Sequence, residues 1–180
     1  MMMDGKAAEE AAILATAQRM CAAARTAPKA CGVDHLAAAI LTGAELLQVA
    51  AEMERLSGEL GYGFFLRDAQ NLRASSALVL LGMRCGPRGL GTGCGYCGFP
   101  NCQACVAQGG LCAYDPMDLG IAIGSAVSIA ADARLDNRVL FSAGRAALEL
   151  GLLGEGVRDV VGIPLAAAGK NPYFDRKSAR

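Results

Sequence analysis

The sequence has no tryptophan, one histidine and only 5% aromatic residues, so few large rings are available to anchor a hydrophobic core. Charge is scarce as well: charged residues make up 19%, and the 17 basic residues balance the 17 acidic ones. Nucleic acids and anionic membranes attract clustered positive charge, so we expect neither as a partner. With 53% hydrophobic residues the chain is not intrinsically disordered, and its core must come mainly from aliphatic side chains.

Apolar stretches suited to a membrane are also missing. The uncharged run 119–131 is too short to cross a bilayer, and the uncharged run 89–114 is rich in glycine and cysteine and contains Pro100. The first residues lack the basic segment followed by an apolar run that marks a secretory signal. We therefore expect a cytoplasmic protein without a membrane partner, in which residues 1–180 form a single domain.

Residue periodicity predicts helices that alternate with short strands. Strands are predicted at 77–81, 138–141 and 157–163, and the first is a continuous apolar run of the kind that helices cover on both faces. Helices are predicted at 7–25, from Asp34 to Ile40, from Thr42 onward, at 65–73, at 117–133 and at 143–150. This order predicts the α/β class, with helices around a small sheet and a cysteine-rich module inserted at 84–113.

Cysteine is abundant although tryptophan is absent and histidine occurs once. Six of the eight cysteines lie between Cys85 and Cys112 inclusive. In an exported mini-protein such density indicates disulfides, but this sequence shows no export signal and is long enough to form a core without them. The last five cysteines follow the spacing C-x2-C-x4-C-x2-C-x6-C. Clustered thiols of this kind predict a metal centre.

Two kinds of metal centre are compatible with this segment. A cubane iron–sulfur cluster takes four thiolates, and Cys94, Cys97 and Cys102 are the predicted ligands close in sequence. Cys112 is the predicted fourth ligand, because four extended residues after a short helix at 101–108 bring it back toward the cluster. Cys105, one helical turn after Cys102, is the alternative. Zinc held by C-x2-C pairs is the other possibility, although the longer spacer of paired zinc knuckles is absent.

The run from Cys94 to Cys102 resembles the CGxCGxxxC element of [4Fe-4S] domains in membrane electron-transfer complexes and corrinoid iron–sulfur proteins. In those domains the fourth ligand follows at a longer distance than Cys112 does here. Across nearly its whole length the sequence resembles a prokaryotic family called ferredoxin-domain-containing proteins. The other segments of this resemblance are 26–29, 65–69, 118–126, 136–138 and 162–171. The resemblance implies a cluster but supplies no reaction.

A remoter resemblance links the C-terminal half, through 149–152 and 160–164, to FMN-dependent nitroreductases. Those proteins are dimers with flavin at the interface, so the resemblance implies FMN and a homodimer, although their arginine-rich phosphate signature is missing. FMN would then lie near the helix that contains Gly124, Ser125 and Ser128. The predicted partners of its phosphate are Lys29, Lys170 and Arg176, because a phosphate calls for charge-assisted donors.

The residues support two functions. The first is a [4Fe-4S] redox protein that acts in electron transfer with a partner protein or a flavin, as a component of an FMN-dependent oxidoreductase. The second is a non-catalytic binding or regulatory module whose cluster or zinc is structural. No residue qualifies as catalytic, since no Ser–His–Asp set, close carboxylate pair or phosphate-binding loop is visible. Cys21 is predicted in the core and His35 on the surface, while Cys31 and Cys85 receive no role.

Overall fold

The chain forms a four-stranded antiparallel sheet with helices on both faces. The computed structural model describes Met2 and residues 4–174. The strands are β1 (Leu36–Leu41), β2 (Ala77–Arg84), β3 (Asp136–Asn137) and β4 (Val157–Ala166), in the order β1-β2-β4-β3 across the sheet. The helices are α1 (Gly5–Thr26), α2 (Gly43–Leu60), α3 (Phe64–Arg73), α4 (Cys102–Ala107), α5 (Tyr114–Asp132) and α6 (Phe141–Glu149). None of the helices in this part of the chain combines the length and apolarity that crossing a membrane requires.

The centre of the sheet is the pair formed by β2 and β4. Side chains of β2 alternate between its two faces, so that Leu78 and Leu80 join one core while Val79 and Leu81 join the other. All four side chains are fully buried. This is the burial on both faces that the apolar run predicts, and the prediction of helices around a small sheet is confirmed.

Each face of the sheet has its own layer of helices. The helices α2, α3 and α6 cover one face, and Met53 and Phe65 lie in the core beneath them. The helices α1 and α5 cover the other face, where Met20 and Ala126 are completely buried. The cysteine-rich segment connects the end of β2 to the start of α5, so it lies at the edge of the second layer.

The helix α6 packs unusually close to β4 because glycine lies on both sides of the contact. A Cβ atom on Gly144 would lie 1.9 Å from the carbonyl oxygen of Val160, and one on Gly162 would lie 2.6 Å from the Cβ of Ala143. Neither position has room for a side chain. These two glycines therefore set the spacing between this helix and the sheet.

One predicted helix is wrong. The segment from Asp34 to Ile40 was expected to be a short helix, but Leu36–Leu41 forms β1 and pairs antiparallel with β2. Asp34 does not cap a helix: its side chain accepts bonds from the Arg25 guanidinium and from the Leu36 N–H at 3.1 Å. Pairing along the edge of a buried strand outweighs the helix propensity of the alanines in this run.

Candidate metal centre

Tight turns shape the cysteine-rich segment. Gly95 and Gly98 directly follow Cys94 and Cys97, and their φ values are 68° and 77°. Glycine adopts this left-handed conformation without steric cost, whereas other residues do so rarely. The chain therefore turns sharply after each of the two cysteines, and both line the same cavity.

The short helix α4 places the next cysteines. Asn101 caps it, since its side-chain oxygen accepts a hydrogen bond from the Ala104 N–H at 2.8 Å. Cys102 is consequently the first residue of the helix, and its thiol lies 3.9 Å from the carbonyl oxygen of Gly91. This contact holds the helix against the preceding loop.

The four predicted ligands line one cavity. Cys94, Cys97, Cys102 and Cys112 all form part of its wall, and all four are free thiols of intermediate exposure. A cubane cluster binds each of its four thiolates at a different iron corner, so thiols distributed around a shared space are a fitting donor set. Among the described residues, no three His, Cys, Asp or Glu side chains are close enough to share a single metal ion.

Cys105 is not part of this cavity's wall but interacts with three of the four thiols that are. It is buried, and its thiol is within hydrogen-bonding reach of the Cys97 thiol. Burial raises the pKa of Cys105, and the neighbouring thiols of Cys97, Cys112 and Cys102 raise it further. The structure therefore brings together five thiols where a cluster needs four.

A buried cation lies in the wall of the same cavity. Only 5% of Arg88 is exposed, and its Nη1 and Nη2 atoms lie 2.8 Å from the carboxylates of Asp115 and Asp118 respectively. Burial lowers the pKa of Arg88, but the bonds to the two carboxylates outweigh it and raise the pKa. Asp118 also accepts the N–H of Ala30 at 3.1 Å, which ties the turn after α1 to α5.

His35 belongs to this network and is half-buried just before β1, whereas it was predicted to lie on the surface in the first turn of a helix. Its Nδ1 lies 2.9 Å from Arg88 Nη1 and 3.4 Å from Asp115 Oδ1. Gly86 completes the arrangement, since its N–H donates to Asp115 and its carbonyl oxygen accepts from Arg88. The network thereby joins the start of β1, the loop after β2 and the first turn of α5 beside the cavity.

A pair of tyrosine rings lies at the cavity. Tyr114 is part of the wall, and its ring centroid lies 5.8 Å from that of Tyr96, which is 68% exposed. Burial raises the pKa of Tyr114, and the nearby Cys94 thiol raises it further. Tyr114 therefore contributes a neutral aromatic ring to the cavity wall.

A second cavity, of about 180 Å³, shares Cys112 with the first. Its wall includes the thiols of Cys85 and Cys105 and the side chain of Arg158, whose Nη1 donates to the carbonyl oxygen of Gly109 at 3.1 Å. Burial raises the pKa of Cys85, although the positive charge of Arg158 opposes this shift. The sequence alone gave no indication of this cavity.

The lysine predicted to bind a flavin phosphate has other partners. The Nζ of Lys29 donates to the carbonyl oxygens of Ala24, Arg25 and Ala27 at 2.8, 2.7 and 2.8 Å. An ammonium group has three donors, so these bonds use all of them and cap the end of α1. A role for Lys29 at a phosphate stays a prediction, and it requires these bonds to open.

The other predicted flavin residues are distributed around the fold. Ser125 donates to the carbonyl oxygen of Ala23 at 2.9 Å, close to the end of α1 that Lys29 caps. Gly124 and Ser128 are exposed on the same helix, and Lys170 is exposed after β4. Arg176 lies outside the described residues. The structure thus places Lys29 and Ser125 near one helix end, and the phosphate site stays a prediction.

Two comparisons concern the sequence. The family described as "Uncharacterized protein containing a ferredoxin domain (DUF2148)" matches residues 108–176, a range that includes Cys112. An uncharacterized protein from the archaeon Archaeoglobus fulgidus is 38% identical over 184 residues, which cover 98% of this chain and 98% of that protein.

Solved structures resemble the fold at low sequence identity. A nitroreductase with bound FMN from Desulfitobacterium hafniense aligns with a TM-score of 0.59 and 14% identity, over 94% of this chain and 81% of that one. A nitroreductase family protein from Clostridium novyi gives 0.58 and 12%, over 93% and 76%. A BluB-like flavoprotein from Clostridium difficile gives 0.54 and 15%, over 92% and 84%. These similarities establish a nitroreductase-like fold.

Proposed function

The chain belongs to the family of proteins containing a ferredoxin domain, and from this premise we propose that it is a redox protein that transfers electrons through one [4Fe-4S] cluster. The observation that supports this most directly is the cavity lined by Cys94, Cys97, Cys102 and Cys112. Such a cluster stores and releases single electrons. In this proposal the segment 84–113 is an inserted cluster-binding module of a single domain.

The surrounding residues would adapt the cavity to a cluster. A cubane cluster held by four thiolates is negatively charged, and the guanidinium of Arg88 lies in the cavity wall as a positive charge. Because Asp115 and Asp118 hold this group in place, it would need little rearrangement when the charge of the cluster changes. Tyr114 would limit the access of water to the same space.

We further propose that the electrons pass to or from a flavin or a partner protein. The observation that favours flavin is the fold, since one of the similar solved structures is a nitroreductase with bound FMN. FMN would make this protein part of an FMN-dependent oxidoreductase, and the helix α5 with Gly124, Ser125 and Ser128 is the proposed place for it. Lys29, Lys170 and Arg176 remain the proposed phosphate partners.

Anaerobic purification followed by metal and cofactor analysis tests the proposal. We expect about four iron atoms and a similar amount of acid-labile sulfide per chain, with broad visible absorption that a strong reductant bleaches. Added FMN should lose fluorescence when it binds. A colourless protein that contains zinc would contradict the redox function and favour a structural metal site. A cluster without fluorescence quenching would leave a partner protein as the electron acceptor.

A further inference from the structure

Of the five closely spaced thiols, that of Cys105 is the one left over from the proposed cluster site. The other four line the first cavity, and Cys105 does not. It is nevertheless buried beside them, on the short helix α4, with only 4% of the residue exposed. A thiol in this position has no ligand role in the proposed cluster site, so its place next to the ligands calls for another explanation.

Cys105 has a specific partner in Cys97. The two thiols lie within hydrogen-bonding reach of each other, whereas Cys112 and Cys102 act on Cys105 through their charge. A disulfide holds its two sulfur atoms about 2.05 Å apart, so thiols already within hydrogen-bonding reach need only a short approach to form one. The geometry therefore favours Cys97 over the other thiols as the partner of Cys105.

The two thiols differ in their access to solvent. Cys97 is of intermediate exposure, while Cys105 is buried. A dissolved oxidant therefore meets the sulfur of Cys97 first, and Cys105 is placed to react with the product. An accessible thiol next to a second, less accessible one is the arrangement that redox-sensing cysteines often have.

We infer that Cys97 and Cys105 form a reversible disulfide when a peroxide reaches the site and Cys97 is not bound to metal. The sulfur of Cys97 attacks one oxygen of the peroxide, the O–O bond breaks, and a sulfenic acid and one water are formed. The sulfur of Cys105 then attacks the sulfenic sulfur, so that the S–S bond forms, the S–O bond breaks and a second water leaves. The two thiols lose two electrons and two protons, and hydrogen peroxide is reduced to two waters.

This disulfide would decide whether the first cavity can hold metal. It takes Cys97 out of the set of four proposed ligands, so the cavity cannot load a cluster until the bond is reduced. It also protects Cys97 from oxidation to the sulfinic acid, which thiols do not reverse. A dithiol restores both thiols by thiol–disulfide exchange. The inference goes beyond the proposed function, because it requires only the two thiols and applies to a zinc site as well.

Peroxide treatment of the intact, metal-free chain tests the pair. The treated protein is digested with pepsin at low pH, which prevents exchange of disulfides, and the peptides are mapped by tandem mass spectrometry. We expect a single disulfide, between Cys97 and Cys105, in a chain that has lost two hydrogen atoms. The treated protein should take up iron and sulfide only after dithiothreitol is added. No disulfide, or one that joins Cys105 to a thiol other than Cys97, would overturn the inference.

Two serine variants locate the reaction. In Cys105→Ser the sulfenic acid of Cys97 has no partner, so dimedone, which reacts with sulfenic acids, should label Cys97 there but not in the parent. Cys85→Ser removes a thiol that lines the second cavity but not the first, and it should behave like the parent. Loss of dimedone labelling because another thiol replaces Cys105 would contradict the selection of this pair. A Cys105→Ser protein that cannot load metal even before oxidation would make Cys105 a ligand and also overturn the inference.

Metal analysis of protein from the same preparation separates this inference from the proposed electron transfer. Protein that binds zinc instead of a cluster, and whose metal-free form gives the Cys97–Cys105 disulfide, would refute electron transfer and support the thiol pair. Protein that loads a full cluster, but whose metal-free form gives no such disulfide, would refute the thiol pair and leave the electron-transfer proposal standing.

Discussion

Four thiols line the first cavity and a fifth, that of Cys105, lies beside them, so single substitutions can show which four would hold a cluster. Cys112 lines the first cavity, while Cys105 is within hydrogen-bonding reach of the Cys97 thiol. We expect Cys112→Ser to lose most of its iron or to convert the cluster, and Cys105→Ser to retain it. Cys31→Ser is the matched control, because Cys31 is exposed outside the cysteine-rich segment. Iron content and visible spectra measure the outcome, and the reverse pattern would assign Cys105 as the ligand.

Substitution of Arg88 should lower the free energy of unfolding mainly because its buried ion pairs are lost. In Arg88→Met the carboxylates of Asp115 and Asp118 would stay buried without their cation, which costs about 3–5 kcal/mol. Arg73→Met removes an exposed pair with Glu54 and should cost less than about 1 kcal/mol. Urea unfolding of both variants gives the free energies. Equal losses would show that the buried network contributes no more than a surface pair.

Asp159 should make the folded protein less stable as the pH rises. Its Oδ2 atom is buried without a hydrogen-bond partner among the described residues, and burial raises its pKa above the ordinary value of 3.8. The folded state then holds the proton more strongly than the unfolded state, so stability falls as the pH rises from 3.8 through the raised pKa. Asp159→Asn should be more stable than the parent at neutral pH, and the advantage should vanish near pH 3.8.

Asp34 is the control for Asp159, because its pKa is shifted in the opposite direction. Desolvation tends to raise the pKa of the exposed Asp34, but the bond from Arg25 lowers it, so the contribution of Asp34 to stability is present at neutral pH and is lost on acidification. Asp34→Asn should therefore be less stable than the parent at neutral pH. Urea unfolding at several pH values checks both variants. A less stable Asp159→Asn at neutral pH would contradict the burial of an unpaired carboxylate.

Among the elements, the contact between α6 and β4 depends most on residue size. In Gly144→Ala the new methyl group would collide with the backbone at Val160, and the helix could relieve this only by moving away from the sheet. We expect a loss of at least about 2 kcal/mol. Gly58→Ala is the control, because Gly58 lies within α2 with nothing near its missing Cβ, and this change should stabilise by about 0.4–1 kcal/mol. Urea unfolding compares the two, and equal effects would contradict the close contact.

The sequence predicts the elements whose own residues determine them. The apolar run at the start of β2 and the helical stripes of α1 and α2 have clear periodicities, and the structure confirms these elements. The strand β1 could not be predicted, because an alanine-rich run becomes a strand only when β2 is available to pair with it. Local patterns therefore fail where the decisive partner is distant in sequence.

Distance in sequence also determines which parts of the site could be predicted. Cys94, Cys97 and Cys102 are close together in sequence, so their spacing alone indicates a cluster. The network around Arg88 joins residues from His35 to Asp118, which are distant in sequence, so no local pattern indicated it. The second cavity depends on the same kind of tertiary contact, since Arg158 reaches it from β4.

For the whole molecule we predict a homodimer. Phe64 and Phe141 are 40% and 58% exposed although both rings contact the buried Phe65, and on α5 Met117 and Ile121 are exposed as well. Exposed apolar side chains of this size favour association. Light scattering at micromolar concentration should give twice the mass of one chain. The mass of a single chain under those conditions would refute the prediction.

The antiparallel pairing of β2 with β4 has a consequence for biosynthesis. β2 ends at Arg84, but β4 begins only at Val157, so every cysteine of the cavity leaves the ribosome before the strand that completes the sheet. Pairing between such distant segments slows folding, and until it occurs one edge of the apolar strand β2 is open to other chains. A nascent chain paused before β4 therefore has its full set of thiols but is prone to aggregate.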